Sequence, residues 1–311
     1  MEFFFGGAHS LNIAAFDIGG TAIKYCLYRG TGAFEKQLVR EIPTGIGRGG
    51  TVLEKVSGIL SSMSGFDAVA VSTAGQVDPV SGTILYATDN IPGYTGTKVK
   101  EILESAFHVP VIVENDVNAA ALGEAAFGAG KGYSDFLCLT YGTGIGGAIV
   151  IDKKIYYGSS CSAAEMGHLI THAGGRPCTC GNRGCYEAYA STTALVRAVG
   201  ERSGLTLNGR EIFAELGRNA AVREAVNGWM DEVIWGLVSL THIFNPPCII
   251  LGGGIMNEPL IHDYIEKNIR KHLMKSYWNV AVKKASLGNT AGLQGMISLA
   301  RTQLTGRRDS E

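Results

Sequence analysis

Short apolar runs rich in valine and isoleucine alternate with segments of helical periodicity along most of the chain. The apolar runs predict strands, and they are LNIAAFDI, AIKYCLY, DAVAVST, VPVIVEN, DFLCLTYG, GAIVI and CIILGG. Helices are predicted for TVLEKVSGILSSM, TKVKEILESAF, DVNAAALGEAAF, TTALVRAVGERSG and AVREAVNGWMDEVIWGLVSLTHIF. This alternation over 311 residues indicates α/β layers and, at roughly 150 residues per domain, about two domains.

Two segments of the sequence share one layout. AAFDIGGTAIKYCLY at 14–28 and LCLTYGTGIGGAIVI at 137–151 each contain an apolar strand, a glycine-rich turn with a threonine, and a second apolar strand. Repetition of such a unit indicates a duplicated domain, with two glycine turns that face each other. We expect the chain to cross between the halves near 115–120, where a strand ends at the start of a helix.

Charge and cysteine content narrow the class of protein. The chain has 27 basic and 28 acidic residues, a formal net charge of −1, so it lacks the basic excess of a nucleic-acid binder. No uninterrupted apolar stretch approaches the roughly 18 residues of a membrane span, and MEFFFGGAHS lacks the pattern of a signal peptide. The seven cysteines do not form a disulfide framework. These features predict a cytoplasmic protein without a nucleic-acid or membrane partner.

The turn at 142–147 contains Gly142, Gly144 and Gly147 and so matches the G-x-G-x-x-G pattern. A dinucleotide-binding fold needs a helix directly after this turn, whereas AIVI predicts a strand here. We therefore interpret the turn as a hairpin whose free amides wrap a phosphate, with the Thr143 hydroxyl as a further donor. An ordinary glycine-rich hairpin fits this segment alone equally well.

The earlier turn places an acid ahead of its glycines. A carboxylate repels phosphate unless a cation lies between them, so Asp17 is interpreted as a ligand that orients Mg²⁺. Gly19, Gly20 and Thr21 are expected to contact phosphate oxygens through the turn amides and the threonine hydroxyl. Lys24 either adds a positive charge there or is a solvated strand lysine.

A third glycine cluster follows the predicted strand CIIL. Gly253 and Gly254 can lie beneath the base or ribose of a nucleotide, and a simple strand-to-helix turn is the alternative. Together, the three glycine-rich turns make up the predicted nucleotide-binding residues.

An amide and a carboxylate stand side by side where the buried run VPVIVEN meets a helix. Asn115 can hold a hydroxyl group while Asp116 accepts its proton, because in phosphoryl transfer one aspartate aimed at the nucleophilic oxygen suffices as the base. The alternative is that Asp116 only caps the helix, since aspartate is a preferred N-cap residue. Its place at a helix start is expected to lower its pKa and to keep it ionised at neutral pH.

Three cysteines with the spacing C-x-C-x4-C follow a histidine by ten residues. This set, His168, Cys178, Cys180 and Cys185, supplies the ligands of a tetrahedral structural zinc. His172 is a competing ligand, and a redox C-x-C pair is the rival chemistry, which the glycine-rich loop and the matching histidine disfavour. Four protein ligands close the coordination shell, so no catalytic zinc is implied.

Two acids flank the metal loop. Glu165 stands one helical turn before His168 and Glu187 stands two residues after Cys185, so a folded loop would carry both carboxylates to one place. Two fixed carboxylates are good acceptors for sugar hydroxyls. Taken singly, each would be an ordinary surface residue.

Several motifs of the chain resemble, in order and in spacing, those of the ROK group of sugar kinases and repressors, within the actin, hexokinase and Hsp70 superfamily. They are DIGGT at 17–21, STAGQVD at 72–78, ENDVNAA at 114–120, GTGIGGA at 142–148, AEMGH at 164–168, CTCGNRGCYE at 178–187, LGGGI at 251–255 and AGLQG at 291–295. The resemblance implies a two-lobed, actin-like (ribonuclease H-like) α/β duplication with a central cleft and a structural zinc loop at 168–185. The implied lobes are 11–117 plus about 290–311, and 118–289.

The same resemblance implies an ATP-dependent kinase that phosphorylates the 6-hydroxyl of a hexose, either glucose or an N-acylhexosamine such as N-acetylmannosamine. Asp116 is the implied base. The implied sugar ligands are Gly75, Asn90, Asn115, Asp116, Glu165, His168 and Glu187. His168 would serve twice, with one ring nitrogen on zinc and the other on a hydroxyl. ATP, Mg²⁺ and structural Zn²⁺ are the implied cofactors, and such proteins are commonly homodimers.

Two positions depart from the family pattern. Many members have lysine directly after the first-turn threonine, where this chain has Ala22, although strand alternation puts Lys24 on the same face. Members often have proline in the segment equivalent to STAGQVD, where Ala74 stands here.

The sequence leaves two alternative functions to consider. A sugar-responsive repressor would carry an extra N-terminal helix-turn-helix, for which a first core strand near Asn12 leaves no room. A non-catalytic sugar sensor requires that Asp116 only caps its helix. Sugar-dependent ADP release would separate these from a kinase.

Overall fold

The computed structural model describes residues 11–30, 33–45, 49–88 and 91–306, with the backbone alone at 49–51. Its strands are β1 (Ile13–Ile18), β2 (Ala22–Tyr28), β3 (Arg40–Pro43), β4 (Ala68–Thr73), β5 (Gln76–Asp78), β6 (Thr83–Tyr86), β7 (Val111–Asn115), β8 (Phe136–Tyr141), β9 (Ile145–Ile151), β10 (Lys154–Ile155), β11 (Cys248–Gly252) and β12 (Ala281–Lys284). Its α-helices are α1 (Gly49–Ser62), α2 (Val99–Phe107), α3 (Asp116–Phe127), α4 (Glu187–Ala190), α5 (Thr192–Ser203), α6 (Gly209–Glu215), α7 (Ala220–Phe244), α8 (Pro259–Asn268) and α9 (Ala291–Thr305). Each predicted strand and helix coincides with one of these elements.

Two five-stranded sheets repeat one topology. The first has the order β3-β2-β1-β4-β7, and the second has the order β10-β9-β8-β11-β12. In each sheet an antiparallel hairpin, β1–β2 or β8–β9, is followed by two parallel strands. The glycine turns of the repeated sequence layout are the loops of these two hairpins. The predicted α/β duplication is therefore confirmed.

The chain divides into two compact units. The first unit contains the described residues of 1–131, 157–163 and 289–311, and the second contains 132–156 and 164–288. Compared with the expected boundary after 117, the first unit also takes in all of α3 and the short segment 157–163.

Helices α3 and α9 pack closely within the first unit. A Cβ at Gly123 would overlap the carbonyl oxygen of Ala291, and a Cβ at Gly295 would overlap that of Ala119. Glycine at these two positions lets the helix backbones approach each other. Leu293 on α9 is fully buried in a cluster with residues of the first sheet, so α9 joins α3 to that sheet.

Helix α7 is the main buried helix of the second unit. It ends at Asn245, which has a left-handed conformation with φ 45°, directly before Pro246 and Pro247, which cannot continue a helix. Neither α7 nor any other helix among the described residues has the length and apolar character needed to cross a membrane. Tyr186 packs on Gly236 of α7, where a Cβ would overlap its ring. The Tyr186 hydroxyl donates to the carbonyl of Val233 and accepts from the hydroxyl of Tyr141, both at 2.8 Å, so the chain around Tyr186 is held against α7.

Candidate active site and metal centre

Asp17 lies near the end of β1 in the first unit, with its carboxylate mostly buried. Its Oδ1 accepts a hydrogen bond from the Ser72 hydroxyl at 2.7 Å, and its Oδ2 lies 3.9 Å from Lys24 Nζ. Burial raises the pKa of Asp17, while the bond from Ser72 and the charge of Lys24 oppose that rise. A Cβ at Gly292, near the start of α9, would lie 3.1 Å from Asp17 Oδ1. Lys24 therefore stands where it partly balances the charge of Asp17.

The turn after Asp17 is closed by its own backbone. The Gly19 N–H donates to the Ala22 carbonyl at 3.0 Å, so this amide is already used. The Thr44 hydroxyl donates to the Gly19 carbonyl at 2.6 Å, and the Thr44 N–H donates to the Thr21 carbonyl at 3.0 Å. Gly20 and Thr21 are exposed. Of the predicted phosphate contacts in this turn, Gly20 and Thr21 are the accessible ones.

Asn115 is the N-cap of α3, and every hydrogen-bonding position of its side chain is used. Its Oδ1 accepts from the N–H groups of Val117 at 2.9 Å and Asn118 at 3.1 Å. Its Nδ2 donates to the Gly75 carbonyl at 2.9 Å and to Asp116 Oδ1 at 3.0 Å. The alternative in which Asp116 is the cap is therefore wrong, since Asp116 is the first residue of the helix. A sugar hydroxyl would have to exchange with one of the Asn115 bonds.

Asp116 is half-buried, and its two carboxylate oxygens have different surroundings. Oδ1 accepts from Asn115 Nδ2 and from the Val117 N–H at 2.9 Å, whereas no other described residue donates a hydrogen bond to Oδ2. Burial first, and then the negative charge of Asp17, raise the pKa of Asp116 from 3.8 to about 6. The expectation of a lowered pKa is therefore wrong. Burial of the carboxylate raises its pKa by more than the helix N-terminus and the hydrogen bonds lower it. At pH 7 the carboxylate is still mostly ionised and can accept a proton.

Gly75 precedes β5 and contacts Asn115 through its carbonyl oxygen. Its φ of 105° lies in the region that favours glycine, and a Cβ there would lie 2.7 Å from the Tyr86 carbonyl oxygen. Gly75 thus belongs to the surroundings of Asn115 and Asp116 in the first unit. Asn90, the other predicted contact of this kind, lies outside the described residues.

Glu114 is a buried acid of the first unit that the sequence reasoning missed. It is 0% exposed, and its Oε1 accepts from the Asn115 N–H at 2.8 Å and from Asn118 Nδ2 at 3.0 Å. Its Oε2 accepts from the Tyr157 hydroxyl at 2.6 Å. Burial raises the pKa of Glu114. A charged residue inside the apolar run VPVIVEN was the sequence signal that could have identified it.

The second glycine turn lies beside a cavity of the second unit. The Gly142 N–H donates to the Gly144 carbonyl at 2.9 Å, which tightens the hairpin loop. The neighbouring cavity has a volume of about 420 Å³, and its lining residues are Tyr141, Gly142, Thr143, Thr192, Thr193, Val196, Gly254 and Ile255. Gly142, Thr143 and Gly254 were predicted at the nucleotide site, whereas the residues from α5 were not. Gly253, with φ 100°, packs against the backbone of Tyr141.

The four predicted metal ligands come together in the second unit. One donor atom from each of His168, Cys178, Cys180 and Cys185 lies within 4.8 Å of the others. His168 Nδ1 is 3.6 Å from Cys178 Sγ, and Cys180 Sγ is 3.6 Å from Cys185 Sγ. A tetrahedral zinc with bonds of about 2.3 Å would separate its ligand atoms by about 3.7 Å, so this donor set fits zinc.

His172, the competing ligand, has other partners. Its ring stacks on Tyr189 at 3.9 Å between centroids, and its Nε2 lies 3.4 Å from Glu232 Oε1. Within the described residues, His172 is not among the donors that could share one metal ion with the three cysteines.

Both predicted acids of the metal loop lie beside His168. Glu165 is exposed, with Oε2 at 3.9 Å from His168 Nε2. Glu187 Oε1 lies 3.8 Å from His168 Nδ1 and accepts from the Cys178 thiol at 3.1 Å. Glu187 Oε2 accepts from the Ile145 N–H at 3.3 Å, directly after the glycine turn. Glu187 therefore contacts both the metal-ligand cluster and the loop between β8 and β9, whereas Glu165 lies on the Nε2 side of the His168 ring.

Comparison with known proteins identifies the family. The sequence profile of the ROK family matches residues 13–303. A glucokinase of Streptomyces coelicolor is 38% identical over 255 residues, which are 75% of this chain and 80% of that protein. A beta-glucoside kinase of Listeria monocytogenes is 34% identical over 92% of this chain and 96% of its own length. The crystal structure of a ROK family glucokinase from Streptomyces griseus, in complex with glucose and AMPPNP, superimposes with a TM-score of 0.81 at 32% identity, over 94% of this chain and 99% of that chain. This chain belongs to the ROK family.

Proposed function

We propose that this protein is a sugar kinase that transfers the γ-phosphoryl group of ATP to the 6-hydroxyl of a hexose. The acceptor is glucose or an N-acylhexosamine such as N-acetylmannosamine. The family membership and the relatives that act on glucose and β-glucosides support a sugar as acceptor. The relative that holds both glucose and AMPPNP supports ATP as the donor.

The observation that carries the proposal is the carboxylate of Asp116. One of its oxygens accepts no hydrogen bond from any other described residue, and burial raises the pKa of Asp116 to about 6. The base takes the proton of the 6-hydroxyl, the hydroxyl oxygen forms a bond to the γ-phosphorus, and the bond between that phosphorus and the ADP oxygen breaks. A base whose pKa lies just below the working pH is ionised and still basic enough to assist this step.

The remaining residues bind and orient. Gly142, Thr143 and Gly254 line the cavity that we assign to the nucleotide. Gly20 and Thr21 are assigned to its phosphates. Asp17 is the residue that we expect to hold Mg²⁺, which neutralises phosphate charge when bound.

The metal loop is assigned a structural role. Its four donors would hold zinc, which stabilises the loop that carries His168 and Glu187. His168 Nε2, Glu165 and Glu187 are the groups that we assign to sugar hydroxyls. Asn115 and Gly75 are assigned to positioning of Asp116, because the Asn115 side chain already donates hydrogen bonds to the Gly75 carbonyl and to Asp116 Oδ1.

The test is an ADP-release assay with Mg²⁺-ATP over glucose, mannose, fructose, N-acetylglucosamine, N-acetylmannosamine and a β-glucoside. We expect turnover with at least one of these sugars and none with its 6-deoxy analogue. Sugar binding without turnover for every sugar would instead favour a sugar sensor. Neither binding nor turnover would reject the proposal.

Asp116→Asn is the matching variant. We expect it to lower turnover by about 10²–10⁴-fold, the range of a general base, with sugar affinity nearly intact. Asp263→Asn, at an exposed aspartate of α8, is the control and should leave turnover unchanged. Near-normal turnover of Asp116→Asn would reject the assignment of the base.

Three further expectations from the sequence stay predictions. They are a homodimer, a cytoplasmic location and the lack of a nucleic-acid partner. Light scattering after size-exclusion chromatography measures the first. Fractionation of cells and a DNA-retention assay measure the other two.

A further inference from the structure

Glu114 is a buried carboxylate without a nearby cation. It is 0% exposed, and no lysine, arginine or histidine forms an ion pair with it in the described part of the chain. Its three hydrogen bonds come from one backbone N–H, one amide and one phenol. Burial of a carboxylate without a counter-charge costs several kcal/mol. Replacement of a buried charged group and its partners by well-packed apolar residues is often neutral or stabilising, so stability alone does not account for Glu114.

The three bonds of Glu114 join two parts of the first unit. Two of them come from Asn115 and Asn118, at the strand-to-helix turn that presents Asp116. The third comes from Tyr157, the first residue of the segment 157–163. The segment 157–163 is also attached to β5, because the Ser162 hydroxyl donates a hydrogen bond to Gln76 Oε1 at 3.0 Å. Glu114 thus connects the segment to the turn that carries the base.

We propose that Glu114 is a positioning residue for the phosphoryl transfer, and that Tyr157 acts through it. The carboxylate of Glu114 holds the first turn of α3 and the hydroxyl of Tyr157 as one hydrogen-bonded group, which keeps Asp116 in its orientation. The inference rests on the proposed kinase function. Its physical basis is that displacement of a catalytic group by about 1 Å can reduce the rate about 100-fold.

The test compares kcat and sugar KM for three variants at a temperature well below the unfolding transition. Tyr157→Phe removes one of the three bonds, and we expect kcat to fall about 10-fold. Glu114→Ala leaves all three donors without an acceptor, and we expect a fall of about 100-fold. Glu114→Gln should recover most of that loss, because its amide oxygen accepts from Asn115 and Asn118 while its NH₂ donates to the Tyr157 oxygen.

The control is Tyr156→Phe. Tyr156 is the neighbouring residue, is exposed, and has no hydrogen bond from its hydroxyl among the described residues. We expect its kcat and sugar KM to equal those of the wild-type protein. Sugar KM should change less than about 3-fold in Tyr157→Phe, since the effect is on the base.

Three results would overturn the inference. One is a kcat of Tyr157→Phe and Glu114→Ala that equals that of the wild-type protein while the melting temperature falls, which would show a purely structural role. Another is a loss that is confined to KM. The third is a Glu114→Gln variant as impaired as Glu114→Ala. These results all require an active wild-type protein, whereas a wild-type protein that turns over no sugar would reject the proposed function itself and the inference with it.

Discussion

The raised pKa of Asp116 predicts that removing its charge stabilises the protein. The pKa rises from 3.8 to about 6 on folding, a difference of about 2.2 units, and one unit corresponds to about 1.4 kcal/mol. Because the folded protein binds the proton more tightly than the unfolded chain, the ionised form costs up to about 3 kcal/mol above pH 6. Protonation removes this cost as the pH falls, and it is gone below pH 3.8. Asp116→Asn resembles the protonated form at every pH and keeps an oxygen for the Val117 N–H.

We therefore expect Asp116→Asn to unfold at higher urea concentration than the wild-type protein at pH 8, with a gain in free energy of unfolding of up to about 3 kcal/mol. The gain should shrink between pH 6 and pH 4. Urea titrations at several pH values measure it, with Asp263→Asn as the control at an exposed aspartate. A gain that is independent of pH, or a variant less stable than the wild-type protein at pH 8, would refute the reasoning.

Three other predictions concern the base, the helix crossing and the metal loop. Because Asp116 must be ionised, we expect kcat to fall about tenfold between pH 7 and pH 5, and a flat pH profile in this range would contradict its role. Gly295→Ala should destabilise the protein by about 1–3 kcal/mol in urea unfolding, because its Cβ would overlap the Ala119 carbonyl oxygen. The matched variant Gly58→Ala, in the middle of α1 with open space around the new Cβ, should instead stabilise it by about 0.5–1 kcal/mol. Metal analysis should find about one zinc per chain. Cys180→Ser should lose the zinc, the sugar affinity and part of the stability. Unchanged sugar affinity in the metal-free protein would show that the metal loop does not support the sugar site.

The sheets and the metal cluster were predictable because their signals are local. A strand or a glycine turn is recognisable within about 15 residues of sequence. The repeated layout at 14–28 and 137–151 indicates the duplication without information on tertiary contacts. The spacing of Cys178, Cys180 and Cys185 likewise implied one cluster. The structure was needed only to choose the histidine ligand. His168 lies with the three cysteines, whereas the ring of His172 stacks on Tyr189.

The properties of Asp116 were less predictable because they arise from distant neighbours. A helix start lowers the pKa of an acid, yet burial and the charge of Asp17, which is far away in the sequence, reverse the sign. One of the three hydrogen-bond partners of Glu114 is Tyr157, 43 residues away. Neither contact leaves a periodic signal in the sequence. The boundary of the first unit was hard to place for the same reason, since α3 is held there by α9.

The position of α9 has a consequence for synthesis of the protein on the ribosome. Leu293 belongs to the cluster against the first sheet, and α3 packs so closely on α9 that a Cβ at Gly123 would overlap the α9 backbone. The strands and the helix that bear Asp17 and Asp116 emerge early, but their apolar face stays uncovered until residues 291–305 have left the exit tunnel. We therefore expect a nascent chain to expose this apolar surface during most of its elongation, which is the kind of surface that chaperones bind.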